Sequence, residues 1–110
     1  MGSNEGTLKK IEKLESKRKV DKILKFLDDS DDEIVIAAMG ALSRIADEDS
    51  VNSVAHMIDS ASPAVRKGAA EALSTIGTSY AKTYLQHRMV QEKDADVKAA
   101  ILAALQNFSK

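Results

Sequence analysis

The sequence predicts an all-α fold, a right-handed α-solenoid of antiparallel helix pairs with seven helices in about three and a half repeats. Three observations predict it. One proline and five glycines in 110 residues favour long, uninterrupted helices. Apolar residues recur at spacings of three and four, which places them on one buried face of a helix. The same apolar pattern returns every 31 or 32 residues, which is typical of a repeat architecture.

Large apolar residues carry the repeat register. When the chain is shifted by 31 residues and then by 32, residues of similar size and polarity align. The aligned sets are Ile34, Val65 and Val97; Leu42, Leu73 and Leu105; and Ile45, Ile76 and Phe108. This register spans the whole chain, so each unit is predicted to be one helix pair.

Turn residues separate the first three predicted helices. The first helix, at about 7–17, follows from an apolar stripe and ends at Ser-Lys-Arg, 16–18. The second, at about 19–28, ends in the acidic run 28–32. Acidic residues favour the start of a helix, so this run also predicts the beginning of the third helix at about 32–46.

The later helices have clear start and stop signals. They are predicted at about 50–59, 63–77, 79–91 and 94–108. Ser62 is a favoured cap, and Pro63 suits a first helical position because its missing N–H would be unpaired there. Gly77 favours a left-handed helix end. Residues 7–110 are predicted to form one domain, and residues 1–6 a disordered tail or residues added by cloning.

The stretch PAVRKGAAEALSTIG, 63–77, carries the clearest motif. Its Val-Arg pair, paired alanines, Ala-Leu and closing Ile-Gly resemble the second helix of a HEAT repeat. The resemblance is closest to the short repeats of phycobilisome-lyase-like HEAT proteins and extends over nearly the whole chain. It implies a stack of helix pairs that serves mainly as a scaffold for other proteins. In the second repeat Ala46 stands in place of the closing glycine.

The resemblance also implies a partial ladder of ion pairs. In HEAT repeats an acidic residue before the turn often pairs with the arginine at the position of Arg66. Here that position holds Val35 in the preceding repeat and Lys98 in the last. The column of the acidic partner reads Asp29, Ser60 and Glu92. Only part of the ladder is therefore predicted.

Alanine is concentrated on the second helix of each pair. Small side chains let neighbouring helices approach toward the short end of the range of about 8–10 Å. One large leucine in each helix, Leu42, Leu73 or Leu105, is predicted to fill the layer between them. The alanines are Ala37, Ala38 and Ala41; Ala69, Ala70 and Ala72; and Ala99, Ala100, Ala103 and Ala104.

Composition narrows the classes of function. The absence of cysteine excludes a disulfide framework, a cysteine nucleophile and a thiolate metal site. No apolar run approaches the length of about 18 residues that a membrane span needs. The first ten residues lack the apolar stretch of a secretory signal, so a cytoplasmic protein is predicted. The net charge of −1 divides into +2 over 1–30, −6 over 31–62 and +3 over 63–110.

Neither the acidic run 28–33 nor the two histidines predicts a metal site. The acids lack the alternating spacing, the glycine and the distant glutamate of a calcium loop. His56 and His87 lie one repeat apart, with Lys25 as the third member of their column. Zinc needs three or four protein ligands, so surface histidines are predicted, with Asn52 and Thr83 available as hydrogen-bond partners. We predict no metal ion, cofactor or catalytic residue.

The basic run 9–25 contains eight cations and raises the alternative of phosphate binding. Leu8, Ile11 and Leu14 form its buried stripe, so the lysines are predicted to lie on the opposite, solvated face. Several form favourable pairs with acids four residues away. Stacking aromatics are scarce, and Phe26 is assigned to the core. Nucleic-acid binding is therefore the less favoured alternative.

Three sets of residues are candidates for binding a partner protein. The concave surface, made by the second helix of each pair, is predicted to expose Arg44, Lys67, Glu71, Ser74, Thr75 and Gln106. Tyr84 and Arg88 share another helix, and both residue types are frequent in interaction hot spots. Leu102 stands where the preceding repeat has alanine. It either completes a local core or is covered by a second copy or a partner, which leaves weak self-association through the last helix open.

These observations leave two main hypotheses of function. The favoured one is a non-enzymatic scaffold or adaptor that binds another protein on its concave helix face. The alternative, which follows from the repeat subtype that the chain resembles, is an accessory subunit of an enzyme, bilin-lyase-like or otherwise cofactor-handling. The identity of the partner and the oligomeric state stay open.

Overall fold

The computed structural model describes residues 4–109, which form seven α-helices and no strand. The helices are α1 (Glu5–Ser16), α2 (Val20–Leu24), α3 (Asp32–Ile45), α4 (Glu48–His56), α5 (Pro63–Ile76), α6 (Ser79–Gln91) and α7 (Ala95–Gln106). Turns of 3₁₀ helix extend α2, α4 and α7 over Lys25–Asp28, Met57–Asp59 and Asn107–Ser109. With these turns included, every predicted helix is confirmed to within two residues at each end.

The helices form two layers. Helices α1, α3, α5 and α7 pack side by side and make up the alanine layer. Helices α2, α4 and α6 lie against it and make up the outer layer, where neighbouring helices contact one another less closely. Each unit of the stack is thus one helix from each layer, which confirms the predicted solenoid of helix pairs.

Local signals set the helix ends as predicted. The Ser62 hydroxyl accepts a hydrogen bond from the Val65 N–H at 3.3 Å, and Pro63 occupies the first turn of α5. Gly77 ends α5 in the left-handed conformation, with φ of 70°. Ala46 ends α3 in the same conformation, with φ of 55°, although an alanine is strained there.

The core runs between the two layers and between successive helices of the alanine layer. Leu42 and Leu73 are fully buried, as predicted. Helices α3 and α5 approach closely at Gly68, where an added Cβ would lie 3.0 Å from Ile36 Cγ1 and 3.1 Å from Met39 Cε. Such contacts explain why α3 and α5 carry small residues on their facing sides.

The alanines of α7 correct one expectation. Six alanines of the predicted columns are buried: Ala38, Ala41, Ala69, Ala70, Ala72 and Ala104. Ala99 and Ala103 are exposed instead. The prediction that they pack between helices is wrong for the described residues, because no further helix within 4–109 lies on that side of α7.

The first helix begins two residues before the predicted boundary at residue 7. Helix α1 begins at Glu5, and the Asn4 amide donates hydrogen bonds to Asp31 Oδ2 at 2.7 Å and Glu33 Oε1 at 2.8 Å. Residues 1–3 lie outside the described residues, and so does that part of the expected tail. Among residues 4–109, no helix is both long enough and apolar enough to cross a membrane.

Candidate protein-interaction surface

Helix α5 lies in the middle of the alanine layer and presents a polar stripe to solvent. Lys67, Glu71 and Thr75 are exposed at successive turns of the helix, and Ser74 is half-buried beside them. Their backbone is held by the buried side of the same helix, where Ala69, Ala70 and Leu73 are fully enclosed. The stripe is therefore a polar surface on a rigid element.

A groove of about 370 Å³ runs between α5 and α7. Glu71, Ser74 and Thr75 line it from α5. From α7 it is lined by the small residues Ala100, Ala103 and Ala104 and by Asn107. The Asn107 amide donates a hydrogen bond to the Ser74 hydroxyl and so bridges the two helices. Gln106, also a predicted site residue, is exposed next to Asn107.

Arg44 lies apart from this groove and joins α3 to α1. Its Nε and Nη2 donate to the two carboxylate oxygens of Glu15 at 2.7 and 2.8 Å. The guanidinium also packs over Gly40, whose lack of a side chain leaves room for it. Hydrogen bonding to Arg44 lowers the pKa of Glu15. Arg44 is thus exposed, as predicted, but its charge is already paired.

Tyr84 and Arg88 line a second groove, in the outer layer, with a volume of about 400 Å³. The other residues that line it are Ile58, Asp59, Thr83, His87 and Gln91. Tyr84 is half-buried and packs edge-to-face against Tyr80 with ring centroids 5.0 Å apart. The Tyr80 hydroxyl donates to Asn52 Oδ1 at 2.8 Å, which fixes the aromatic pair against α4.

Arg88 belongs to a buried ion-pair network centred on Glu92. Arg66 Nε and Nη2 donate to the two carboxylate oxygens of Glu92 at 2.9 and 3.0 Å. Arg88 Nε donates to the same carboxylate at 2.9 Å, and its Nη1 donates to Asp59 at 3.2 Å. The guanidinium of Arg66 also donates to the Ser60 carbonyl at 2.8 Å. The predicted pair of Arg66 and Glu92 is confirmed, and Arg88 is engaged inside the fold.

The Glu92 side chain is fully enclosed, yet it stays ionised. Burial acts to raise its pKa, but hydrogen bonds from Arg66, from the Asp94 N–H and from Arg88 outweigh burial and lower the pKa to about 2. Two guanidinium groups and a backbone donor therefore compensate for the lost hydration of one carboxylate. This network holds α5, α6 and the turn before α7 together.

Sequence reasoning missed several of these contacts, and two of them had a signal in the sequence. Arg88 lies on the last turn of α6, four residues before Glu92. Residues four apart on a helix are neighbours, so this spacing could have predicted the pair. The pair of Glu15 and Arg44 is separated by 29 residues, which is close to the repeat length. Residues about one repeat apart become neighbours in a stack, so the repeat period was the available signal there.

The acidic run and the histidines have structural surroundings. Asp31 accepts a hydrogen bond from the Glu33 N–H at 2.9 Å as the cap of α3, and Asp29 accepts one from the Asp31 N–H at 2.8 Å. His56 Nδ1 lies 2.8 Å from the backbone carbonyl of Asn52, so the expected partner is right but its side chain is not used. In the part of the chain that the structure describes, no three acidic or histidine side chains cluster as metal ligands.

A family model described as HEAT repeats matches residues 8–106, which is most of the chain. The match is to HEAT repeats in general, so the phycobilisome-lyase-like subtype stays a prediction. No curated protein gives a significant match.

Proposed function

Because the chain belongs to the HEAT-repeat family, whose members are generally protein-interaction scaffolds, we propose that it is a non-enzymatic scaffold or adaptor that binds another protein on the alanine layer. The binding surface in this proposal is the polar stripe of α5 together with the groove between α5 and α7. The enzyme-accessory and nucleic-acid alternatives stay predictions.

The groove between α5 and α7 is the observation that carries the proposal. It has small residues along one wall and hydrogen-bonding side chains along the other. An extended or helical segment of a partner fits such a surface, since the small residues permit close approach and the polar groups set its position. The two helices are among the most closely packed in the molecule, so the groove is preformed.

Charge further distinguishes this surface from the other candidates. Within residues 4–109, the ion pairs engage Arg44, Arg66 and Arg88 but neither Lys67 nor Glu71. Lys67 and Glu71 are exposed and carry opposite charges on adjacent turns. They can therefore pair with a partner of mixed charge without first breaking a contact inside the fold.

The test is quantitative affinity capture from the native host with a charge-swapped variant, Lys67→Glu with Glu71→Lys. The swap keeps the net charge. It also places the glutamate before the lysine along the helix, which is the more favourable order. The control swaps another exposed pair four residues apart, Asp21→Lys with Lys25→Asp, in the α2 segment of the outer layer; it keeps the net charge but gives the less favourable order of the two charges.

We expect at least one protein that the wild type and the control capture equally and that the α5 variant loses. Circular dichroism checks that all three proteins are folded alike. If every specifically captured protein is retained by the α5 variant, the alanine layer is not the binding surface. If a partner is lost only with the control, the outer layer takes that role.

A further inference from the structure

Two apolar side chains of the last repeat are exposed, although their equivalents in the preceding repeat are either buried or paired with the repeat that follows. Leu102 is 49% exposed and Val90 is 87% exposed. Their equivalents one repeat earlier are Ala70, which is fully buried, and Asp59, which pairs with Arg88 of the next repeat at 3.2 Å. The positions equivalent to Leu102 and Val90 thus face the repeat that follows in the stack.

One repeat earlier still, the same position shows which element covers it. Met39 is the equivalent of Ala70 and is fully buried. Its Cε lies 3.1 Å from the site of a Cβ on Gly68, so Met39 packs on the next helix of the alanine layer. By this register, Leu102 projects from α7 toward the place of a further helix, and that place is not filled by residues 4–109.

The exposed side of α7 is complementary to itself. Ala99, Leu102, Ala103 and Gln106 are all exposed and recur at spacings of three and four, so they form one stripe, which we call the open face. One large side chain lies between two small ones. In an antiparallel pair of such helices, the leucine of each copy fits beside the alanines of the other.

Charge also favours a second copy in this orientation. When two α7 helices pair antiparallel with Leu102 near the twofold axis, Lys98 of each copy lies opposite Gln106 of the other. The two lysines are then separated by about two turns along the helix axis. Head-to-tail stacking is disfavoured, because the exposed side of α1 at the other end consists largely of charged residues. That arrangement would remove charged side chains from water against the apolar open face.

We propose that the open face binds the open face of a second copy, as a weak twofold dimer through antiparallel packing of α7 on α7. A single helix face is smaller than the roughly 800 Å² per partner of a standard interface. We therefore expect a dissociation constant on the order of 0.1 mM. This contact leaves Lys67 and Glu71 free, so it is tested separately from the proposed function, although Ala103 belongs both to the open face and to the groove between α5 and α7.

Sedimentation equilibrium over about 0.01 to 1 mM tests the proposal, since this range brackets the expected constant. We expect a monomer–dimer equilibrium for the wild type and at least a tenfold higher dissociation constant for Leu102→Gln. The matched control is Tyr80→Gln, which removes another partly exposed apolar side chain, on the outer layer. It should dimerise like the wild type.

Disulfide trapping gives a second readout, because the sequence contains no cysteine. An Ala103→Cys variant should form a covalent dimer under mild oxidation, since the axis brings its two Cα atoms within about 7 Å. A Lys10→Cys variant on α1 should not. This readout also keeps the proposal testable if Leu102→Gln fails to fold.

Three results would overturn the proposal. They are a strict monomer at the highest concentration, a dimer that Leu102→Gln leaves intact, and trapping at Lys10→Cys that is as fast as at Ala103→Cys. None of these results bears on the α5 charge swap, so a failure of the dimer and a failure of the proposed function are distinguishable.

Discussion

Two successive junctions of the alanine layer, between α3 and α5 and between α5 and α7, share a turn geometry but are stabilised differently. In the first, Ser60 Oγ accepts a hydrogen bond from the Ser62 N–H at 3.1 Å. In the second, Glu92 Oε2 accepts one from the Asp94 N–H at 3.0 Å. The first junction also has a hydrogen bond from the Ser62 hydroxyl to Asp32 Oδ2 at 2.7 Å, and its ladder position holds the buried Val35, whereas the second junction encloses an ion-pair network.

This difference shows that the stack does not need the ion pairs for its geometry. Both junctions bring their helices into equally close contact, although only the second has an arginine and a glutamate at the ladder positions. Shape and burial place the helices, because small residues face one another in both cases. The charged side chains of the network instead make the two junctions respond differently to substitution and to pH.

The largest expected effect comes from Glu92→Ala. Removing one partner from a buried ion pair leaves uncompensated charge, so we expect a loss of about 3–5 kcal/mol in the free energy of unfolding. The matched change at the first junction, Ser60→Ala, loses one neutral hydrogen bond and should cost about 1 kcal/mol. Urea unfolding followed by circular dichroism measures both. Equal losses would mean that the network adds nothing to the shared turn.

Acid should weaken the second junction selectively. The pKa of Glu92 is lowered from 4.5 to about 2, so its stabilisation is complete above about pH 4.5 and is lost as the pH falls toward 2. The full loss is about 3 kcal/mol, at about 1.4 kcal/mol per pKa unit.

The measurement is urea unfolding of wild type and Glu92→Gln at a series of pH values between these limits. The variant cannot titrate at this position, so the stability difference between the two proteins should shrink as the pH falls. A difference that does not change with pH would show that Glu92 is not the group responsible.

The first junction should respond to side-chain size instead. Gly68→Leu places new atoms against Ile36 and Met39, where a Cβ alone already comes within about 3 Å. We expect a loss of about 1–3 kcal/mol from overpacking. The control is Ala64→Leu, at an exposed position of the same helix, which should change stability by less than about 0.5 kcal/mol. Thermal unfolding distinguishes the two outcomes.

The smallest expected effect is a gain at the end of α3. Ala46 and Gly77 both have positive φ, but only glycine adopts this conformation without strain. Ala46→Gly should stabilise the protein by about 1 kcal/mol, and Gly77→Ala should destabilise it by a similar amount. Opposite shifts in the urea midpoint would confirm this, whereas shifts of the same sign would show that packing at these ends outweighs backbone strain.

Much of the fold could be predicted because its signals are local or periodic. Pro63 and Gly77 mark the ends of α5 through backbone preferences of single residues, which act wherever the chain places them. The repeat register predicted Leu42 and Leu73 as buried. The candidate site was predicted less completely, because exposure alone does not reveal whether a charge is already paired, as it is for Arg44 and Arg88.

By itself, therefore, the sequence determined the seven helices, their order in the stack and the close packing of the alanine layer. These depend on spacing along the chain, and a helix converts spacing directly into a face. Only the tertiary structure decided that Glu92 binds two arginines, that Arg44 is paired with Glu15 and that Leu102 stays exposed. Each depends on which helix lies beside another and at what height, and residues about thirty positions apart become neighbours only when the repeats stack.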